Sequence, residues 1–350
     1  MRNVTARAVL FGTQSYAVGV LAPLADALRR RGSEVAWLFE GPGAEHVPRG
    51  EHVLEGMADA RRWGSDVAFV SSDSVPHFLP GLKVAVFHGL DARKRPDDRG
   101  HFRIRGYFDL YCTHGPSTTG PFRALAARHG HFEVVETGFP KLDPALRAPK
   151  PRTTSEPIVL YAPTMTPGLS SADALLPTLA SLAAKGRWRW RVKLHAKAEP
   201  RLRDAYGALV GPHLELVDDP DLVRVMTDAH VMLSDTSSAP VEFVVLGRPA
   251  VTFRHREPGP WFIDVREPAE VEGAIIRALA DPPDLRAAME RFASEVHPWR
   301  DGRSADRVVD AALDLLGRGT GHLRRKPLNL WRKVQARWRW RWWGGAGWSG

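Results

Sequence analysis

A cluster of hydroxyl side chains stands in residues 231–253, where an apolar strand gives way to a helix. The polar residues of this turn are Ser234, Asp235, Thr236, Ser237 and Ser238. The first N–H groups of a helix lack intrahelical partners and carry partial positive charge, so such a turn is suited to bind phosphate. Glu242, about one helical turn further on, could accept hydrogen bonds from ribose hydroxyls. The alternative interpretation is an N-cap and a helix packed on a parallel sheet.

Two histidines that follow strands supply groups for proton transfer. His88 comes directly after the strand KVAVF, and His195 lies between Lys193 and Lys197 after RWRWRVK. Histidine titrates near neutral pH, so His88 is the candidate general base for an acceptor hydroxyl. His195 and Lys193 are candidates to bind phosphate, with His195 also able to protonate a leaving group. The alternative for either histidine is a hydrogen-bonded structural residue.

Two further residues are candidates for contact with phosphate. Thr164 ends the segment YAPT, which follows the first strand of the second half of the chain, and Lys141 lies in GFPKLD. Lys141 could equally be a solvated loop residue. His114, in THGPSTTG, is a weaker candidate because that segment also reads as a turn and an N-cap. No Asp-x-Asp pair stands out as a metal site, so we expect neither a metal nor a cofactor.

Taken in their order along the chain, the motifs resemble those of the CDP-glycerol glycerophosphotransferases, the teichoic-acid primase and polymerase family. The matching segments are His88-Gly89 with the basic Arg93, GFPKLD (138–143), YAPTM (161–165), KLHA (193–196), DTSS (235–238) followed by GRP (247–249), and DGR (301–303). The resemblance implies the GT-B architecture, a base at His88, a role for Arg93 beside it and a nucleotide-activated donor such as CDP-glycerol.

The sequence departs from the family pattern at several of these motifs, and the departures concern the substrate more than the fold. They are Leu90-Asp91 for Thr-Pro, Leu142 for Asn, Ala196 for Pro and Thr236 for an aromatic residue.

Strand-like and helix-like segments alternate along the whole chain, which is typical of a parallel α/β sheet. The proline-rich stretch DPALRAPKPRTTSEP separates two such halves. We therefore predict a GT-B-like α/β fold, with two Rossmann-type domains that face a central cleft. The predicted boundaries are 1–145 for the acceptor domain, 146–157 for the linker, 158–318 for the nucleotide-donor domain and 319–350 for a basic, tryptophan-rich tail.

The net charge of +9 over 350 residues is concentrated in that tail. Residues 322–350 hold eight Lys/Arg, no acidic residue and six of the twelve tryptophans. Without these eight charges the net charge of +9 falls to about +1, so the body is not a basic surface of the kind that binds nucleic acid. In the tail, cations beside amphipathic rings favour a lipid headgroup region. We predict that the tail binds a membrane surface. The alternatives are nucleic-acid binding, a disordered solubility tail, or a helix that docks on a partner.

These observations favour a transferase that moves a glycerophosphate, or a related polyol phosphate or sugar, from a nucleotide donor to a lipid-linked or cell-surface glycan acceptor. The single cysteine, Cys112, suits a reducing compartment. We therefore expect a cytoplasmic enzyme, peripheral on the inner face of the cell membrane. The alternatives are an enzyme like UDP-GlcNAc 2-epimerase, another GT-B glycosyltransferase, or a non-catalytic nucleotide-sugar-binding protein.

Overall fold

The computed structural model describes residues 5–41, 43–90, 102–149, 154–195, 197–219 and 221–340. The chain divides into two compact units, each described separately below. The first unit comprises residues 1–88, 95–143 and 303–350, and the second comprises 89–94 and 144–302. Arg93 and Ala196, which belong to the sequence motifs, lie outside the described residues, as does the tail after Trp340.

The described part of the first unit contains a seven-stranded parallel sheet in the order β3-β2-β1-β4-β5-β6-β7. Its strands are β1 (Arg7–Gly12), β2 (Glu34–Phe39), β3 (Val53–Leu54), β4 (Val67–Val70), β5 (Leu82–Ala85), β6 (Leu110–Thr113) and β7 (Glu133–Glu136). The helices between them are α1 (Ala17–Arg30), α2 (Met57–Trp63) and α3 (Pro116–His129). The strand order reverses between β1 and β4, and ligands of such sheets bind where the carboxyl ends of these strands diverge.

The apolar spacing of α1 explains why this segment forms a helix against the sheet. Val20, Leu21, Leu24 and Leu28 recur on one face and are completely buried. The helix ends before Gly32, whose φ of 75° lies in the left-handed region that favours glycine. Burial of this face places the first residues of α1 at the carboxyl end of β1.

The second unit contains, in its described residues, a six-stranded parallel sheet in the order β10-β9-β8-β11-β12-β13. After α4 (Asp143–Arg147), which spans the division between the units, its strands are β8 (Ile158–Tyr161), β9 (Arg189–Val192), β10 (Leu214–Leu216), β11 (Val231–Ser234), β12 (Ala250–Phe253) and β13 (Ile263–Val265). Its helices are α5 (Ala172–Ala184), α6 (Pro200–Gly207), α7 (Leu222–Met226), α8 (Ser238–Val245), α9 (Val271–Leu279) and α10 (Pro283–Val296). Here the strand order reverses between β8 and β11, so the same rule predicts a second ligand position at their carboxyl ends.

The two parallel α/β sheets confirm the predicted fold class. The chain then continues through α11 (Ser304–Arg318) and α12 (Leu330–Arg339), and both helices cluster with the first unit. The sequence-based boundaries had placed residues up to 318 in the second domain. No helix among the described residues is long and apolar enough to cross a membrane.

Asp143, the last residue of GFPKLD, caps α11 from a distant point of the chain. Its carboxylate is completely buried. Oδ1 accepts a hydrogen bond from Ser304 N–H at 2.9 Å, and Oδ2 accepts one from Ala305 N–H at 2.7 Å. A negative charge on the first N–H groups of a helix stabilises it through both the hydrogen bonds and the helix dipole. Asp143 therefore ties α11 into the first unit.

Replacing Asp143 with alanine is expected to lower the free energy of unfolding by about 2 kcal/mol, since two buried donors at the start of α11 lose their acceptor. Urea denaturation followed by circular dichroism measures the change. Asp314→Ala is the matched control, because this half-exposed carboxylate on the same helix forms an exposed ion pair with Arg318, four residues later. An Asp143→Ala protein as stable as the control would contradict the assigned role.

Candidate functional site

The residues that can move a proton in the first unit lie at the carboxyl edge of its sheet. His88 follows β5 and is exposed. Its Nδ1 lies 3.1 Å from the carbonyl oxygen of Ser71, the residue directly after β4. The ring of Tyr16, which precedes α1, lies with its centroid 5.2 Å from that of His88. The segments that follow β1, β4 and β5 all begin at the carboxyl edge of the sheet. Together they hold the imidazole beside the point where the strand order reverses, between β1 and β4.

The hydrogen bond to Ser71 determines which nitrogen of His88 can act as a base. A carbonyl oxygen only accepts, so Nδ1 must carry the proton in this bond. In the neutral ring Nε2 is then the nitrogen with a free lone pair, and the exposed ring presents it to ligands. Burial, and then the nearby carboxylate of Asp73, raise the pKa of Tyr16, so its phenol stays neutral beside His88. The arrangement suits proton transfer from a hydroxyl to Nε2.

In the second unit, the hydroxyl-rich turn lies at the carboxyl end of β11, beside the β8/β11 reversal. Ser237 is the N-cap of α8 and has extended backbone dihedrals, and its own side chain makes no capping hydrogen bond to the helix. Ser237 Oγ lies 3.4 Å from Ser234 Oγ, which also hydrogen-bonds the Ala162 carbonyl at 2.6 Å. Ser237 and Ser238 are half-buried. The start of α8 therefore offers hydroxyl and N–H donors for an anion.

Asp235 is the buried centre of this turn. Its side chain is completely buried. Oδ1 accepts from Thr164 N–H at 2.8 Å, and Oδ2 accepts from both the N–H and the hydroxyl of Ser171 at 2.9 Å. The carboxylate thereby ties the segment after β8 to the segment after β11. Among the predicted substrate-binding residues, Asp235 is placed to position Thr164 and the turn.

Thr236 and Glu242 also lie within the protein rather than at its surface. Thr236 Oγ1 accepts a hydrogen bond from Arg256 N–H at 3.1 Å, which connects the turn to the segment after β12. Glu242 is completely buried within α8. Its contact with a ribose stays a prediction.

His195 and Lys193 lie at the carboxyl end of β9, next to β8 in the sheet. Lys197 N–H donates to Nδ1 of His195 at 3.1 Å, so in the neutral ring the proton is on Nε2. His195 is exposed, and in this tautomer its Nε2–H is a hydrogen-bond donor. Burial lowers the pKa of Lys193, with Asp218 opposing that effect. Both side chains have the chemistry of an anion site.

Lys141 and His114, the other candidates from the sequence, lie in the first unit. Lys141 lies in the first unit, in the turn before α4, and is half-buried. His114 is completely buried, packed between the rings of Phe87 and Phe139, a position typical of a core histidine. No group of three His, Cys, Asp or Glu side chains in the described ranges is arranged to hold a metal.

The residues that hold His88 in place were not predicted from the sequence. Tyr16 and Ser71 touch His88, and Asp73 pairs with Arg105 at 2.8 Å. Tyr16, Ser71 and Asp73 each lie in the segment after a strand. This position was the only feature of the sequence that could have indicated them. Serine and tyrosine in loops are too common for that signal to select them.

Comparison with known proteins shows the fold class. No protein-family model and no curated protein matches the sequence. Solved structures that resemble the chain include the wall teichoic acid polymerase TagF, which is 15% identical with a TM-score of 0.64 over 90% of both chains. A putative UDP-N-acetylglucosamine 2-epimerase from Listeria monocytogenes is 13% identical with a TM-score of 0.64, over 89% of this chain and 96% of its own.

A third structure, the S. aureus MnaA–UDP complex, is 14% identical with a TM-score of 0.62, over 92% of this chain and 99% of its own. These structures share the GT-B fold, and the chain therefore has that fold. At such low identity the similarity extends to the architecture alone.

Proposed function

We propose that the protein is a GT-B transferase that moves a glycerophosphate, or a related polyol phosphate or sugar, from a nucleotide-activated donor such as CDP-glycerol to a glycan or lipid-linked acceptor. The observation that carries this proposal is His88, whose Nδ1–H donates to Ser71 and leaves Nε2 free at the carboxyl edge of the first sheet. An exposed, oriented base is what activation of an acceptor hydroxyl requires. The order of motifs from His88 to Ser238 supports the choice of donor.

In the proposed reaction with CDP-glycerol, the acceptor oxygen forms a bond to the phosphorus of the glycerophosphate. The bond between that phosphorus and the bridging oxygen breaks, and CMP leaves. His88 Nε2 takes the proton of the acceptor hydroxyl. The donors at the start of α8 and His195 Nε2–H compensate the charge that develops on the departing phosphate. Asp235 positions this turn through Thr164 and Ser171.

The proposed partners are a nucleotide-activated donor, a lipid-linked or glycan acceptor and the membrane surface, with no nucleic acid. We place the reaction on the cytoplasmic face of the cell membrane, in the synthesis of a teichoic-acid-like envelope polymer. TagF, one of the structural neighbours, is a wall teichoic acid polymerase, and one of its structures was obtained after a soak with CDPG. That likeness supports the proposal through the fold.

A second candidate function is the 2-epimerisation of UDP-GlcNAc. It is favoured by the similarity to the epimerase structures, whose TM-scores equal or approach that of TagF. An epimerase needs no acceptor hydroxyl. The two functions are therefore separated by whether turnover depends on an acceptor.

The test incubates the full-length protein with CDP-glycerol, UDP-GlcNAc and other nucleotide sugars, each with and without a polyprenyl-linked acceptor, and follows nucleotide release and sugar configuration. We expect CMP release from CDP-glycerol only when the acceptor is present. Conversion of UDP-GlcNAc without acceptor would establish the epimerase instead. Binding of nucleotides without any turnover would indicate a non-catalytic nucleotide-binding protein.

A further inference from the structure

Exposed apolar side chains are concentrated at one place in the described residues. Half of the large apolar side chains that are exposed lie between residues 328 and 338. They are Leu328, Leu330, Trp331, Val334 and Trp338, with the two tryptophans 72% and 73% exposed. Isolated exposed apolar residues are common on proteins, but a contiguous group of this kind marks an interaction surface.

The helix α12 arranges these residues on one side. With about 100° of rotation per residue, Leu330, Val334, Trp331 and Trp338 share an arc of about 100°. Ala336 lies on the opposite side and is buried. We call the exposed arc of Leu330, Trp331, Val334 and Trp338 the apolar ridge of α12.

The helix is docked on the first unit through its other side and its ends. Asn329 Nδ2 and Arg332 Nη1 both donate to the carbonyl oxygen of Arg105, at 3.0 and 3.1 Å. The ring of Trp340 packs edge-on against Phe11, near the end of β1, and against Phe78, with centroid distances of 6.4 Å in both cases. The apolar ridge is therefore held in a fixed orientation.

Positive charge surrounds the ridge. Between residues 322 and 340 there are seven Lys/Arg and no Asp or Glu. Burial, and then the charges of Arg337, Lys333 and Lys83, lower the pKa of His77. An apolar strip flanked by cations complements a bilayer with anionic lipids, in which acyl chains lie below a negatively charged headgroup layer.

Short contacts connect α12 to the His88 site within the same unit. Arg105, whose carbonyl receives the start of α12, pairs through its guanidinium with Asp73 at 2.8 Å. Two residues earlier, Ser71 holds His88 through its carbonyl oxygen. At the other end, Trp340 meets the carboxyl end of β1. A membrane bound to the ridge would thus have a defined position relative to His88.

We propose that α12 is an interfacial helix that inserts Trp331, Val334 and Trp338 into an anionic membrane surface and so fixes the His88 edge of the first unit near the headgroups. The acceptor is then a lipid-linked molecule in that bilayer. The choice of acceptor rests on the transferase function proposed above, whereas the membrane contact does not.

Flotation of the full-length protein with vesicles tests the contact. We expect it to float with phosphatidylcholine vesicles that contain phosphatidylglycerol, and much less with phosphatidylcholine alone. The double variant Trp331→Ser/Trp338→Ser should lose about tenfold or more in vesicle affinity, because two indole rings no longer leave water. Brominated acyl chains should quench tryptophan fluorescence of the wild type more than that of the variant.

The matched control is Val210→Ser/Ile276→Ser, which removes two exposed apolar side chains outside α12 and should float like the wild type. The proposal is overturned if the wild type fails to float or if the tryptophan variant floats equally well. It is also overturned if α12 instead mediates self-association, measured by sedimentation, or if binding to RNA rather than vesicles depends on the two tryptophans.

Transfer assays separate this inference from the function on which it partly rests. For the tryptophan variant, the ratio of the rate on vesicle-embedded acceptor to the rate on a short, water-soluble acceptor should fall about tenfold or more. An unchanged ratio would overturn the placement of the acceptor. Vesicle binding by the ridge without transfer to any acceptor would refute the transferase and leave the membrane contact standing.

Discussion

Replacement of His88 by asparagine is expected to lower kcat/KM for transfer about 10²- to 10⁴-fold, the usual contribution of a positioned general base. The asparagine amide can take the place of Nδ1–H and keep the hydrogen bond to the Ser71 carbonyl. It supplies no nitrogen lone pair at the position of Nε2. The backbone after β5 should therefore stay in place while the base is lost. Steady-state release of the nucleotide, measured with saturating donor, gives the change.

Two controls make this result specific for a base. His52→Gln removes an exposed histidine just before β3, at the opposite edge of the same sheet, and should leave the rate unchanged. His88→Ala opens space beside Tyr16, and added imidazole should restore part of its activity. A His88→Asn protein with wild-type kcat/KM would refute the proton-transfer role. If His88→Ala lost as much kcat/KM as His88→Asn and imidazole restored none of it, the result would indicate that His88 acts only through structure.

Much of the fold follows from local sequence pattern. Strands buried on both faces, such as β1, β4 and β11, are short apolar runs that end in small or polar residues, and this pattern is visible in the sequence. β3 and β13 were not predicted, because two or three residues carry no periodicity. They are defined by pairing with β2 and β12, a tertiary property.

The association of α11 with the first unit could not be predicted from position along the chain. It depends on contacts between distant residues. Arg31 pairs with Asp306 at 2.9 Å and with Asp310 at 2.7 Å, and Asp143 caps the helix. Each partner is an ordinary charged residue in its own segment, so no local pattern indicates the pair.

At the candidate site, residue type and strand end were enough to select the positions that lie at the two sheet edges. His88, His195, Thr164 and Ser237 all stand where a parallel strand ends. Sequence could not assign the hydrogen-bond partners that decide what each group does. The Ser71 carbonyl determines the protonated nitrogen of His88, and the Lys197 N–H determines that of His195. Both partners are backbone groups, whose positions depend on the fold and not on residue type.

For Asp235, too, the hydrogen-bond partners could not be predicted from the sequence. In the sequence it stands among hydroxyl residues at a strand end, which is consistent with contact to substrate. In the structure its two oxygens accept three hydrogen bonds from Thr164 and Ser171. Ser171 also lies 2.9 Å from the Tyr161 hydroxyl, so the network continues into β8.

Replacing Asp235 with alanine is expected to destabilise the protein by about 3–5 kcal/mol, because three donors lose a buried anionic acceptor at once. Asp235→Asn keeps one carbonyl oxygen and should cost less, about 1–3 kcal/mol. Urea denaturation gives the free energy of unfolding. Hydrogen exchange in peptides that span Thr164 and the start of α5 should accelerate before the rest of the second unit, since the lost bonds join these segments to the turn after β11.

Asp173→Ala is the control for this network, since Asp173 is an exposed carboxylate at the start of α5 whose ion pair with Arg201 is also exposed. It should change stability by less than about 1 kcal/mol. Nucleotide binding distinguishes support of the turn from general stability: at temperatures where Asp235→Asn is fully folded, it should still bind the donor more weakly than the control. Wild-type donor affinity in folded Asp235→Asn would show that the start of α8 holds its shape without this carboxylate, and an unchanged stability would contradict the network itself.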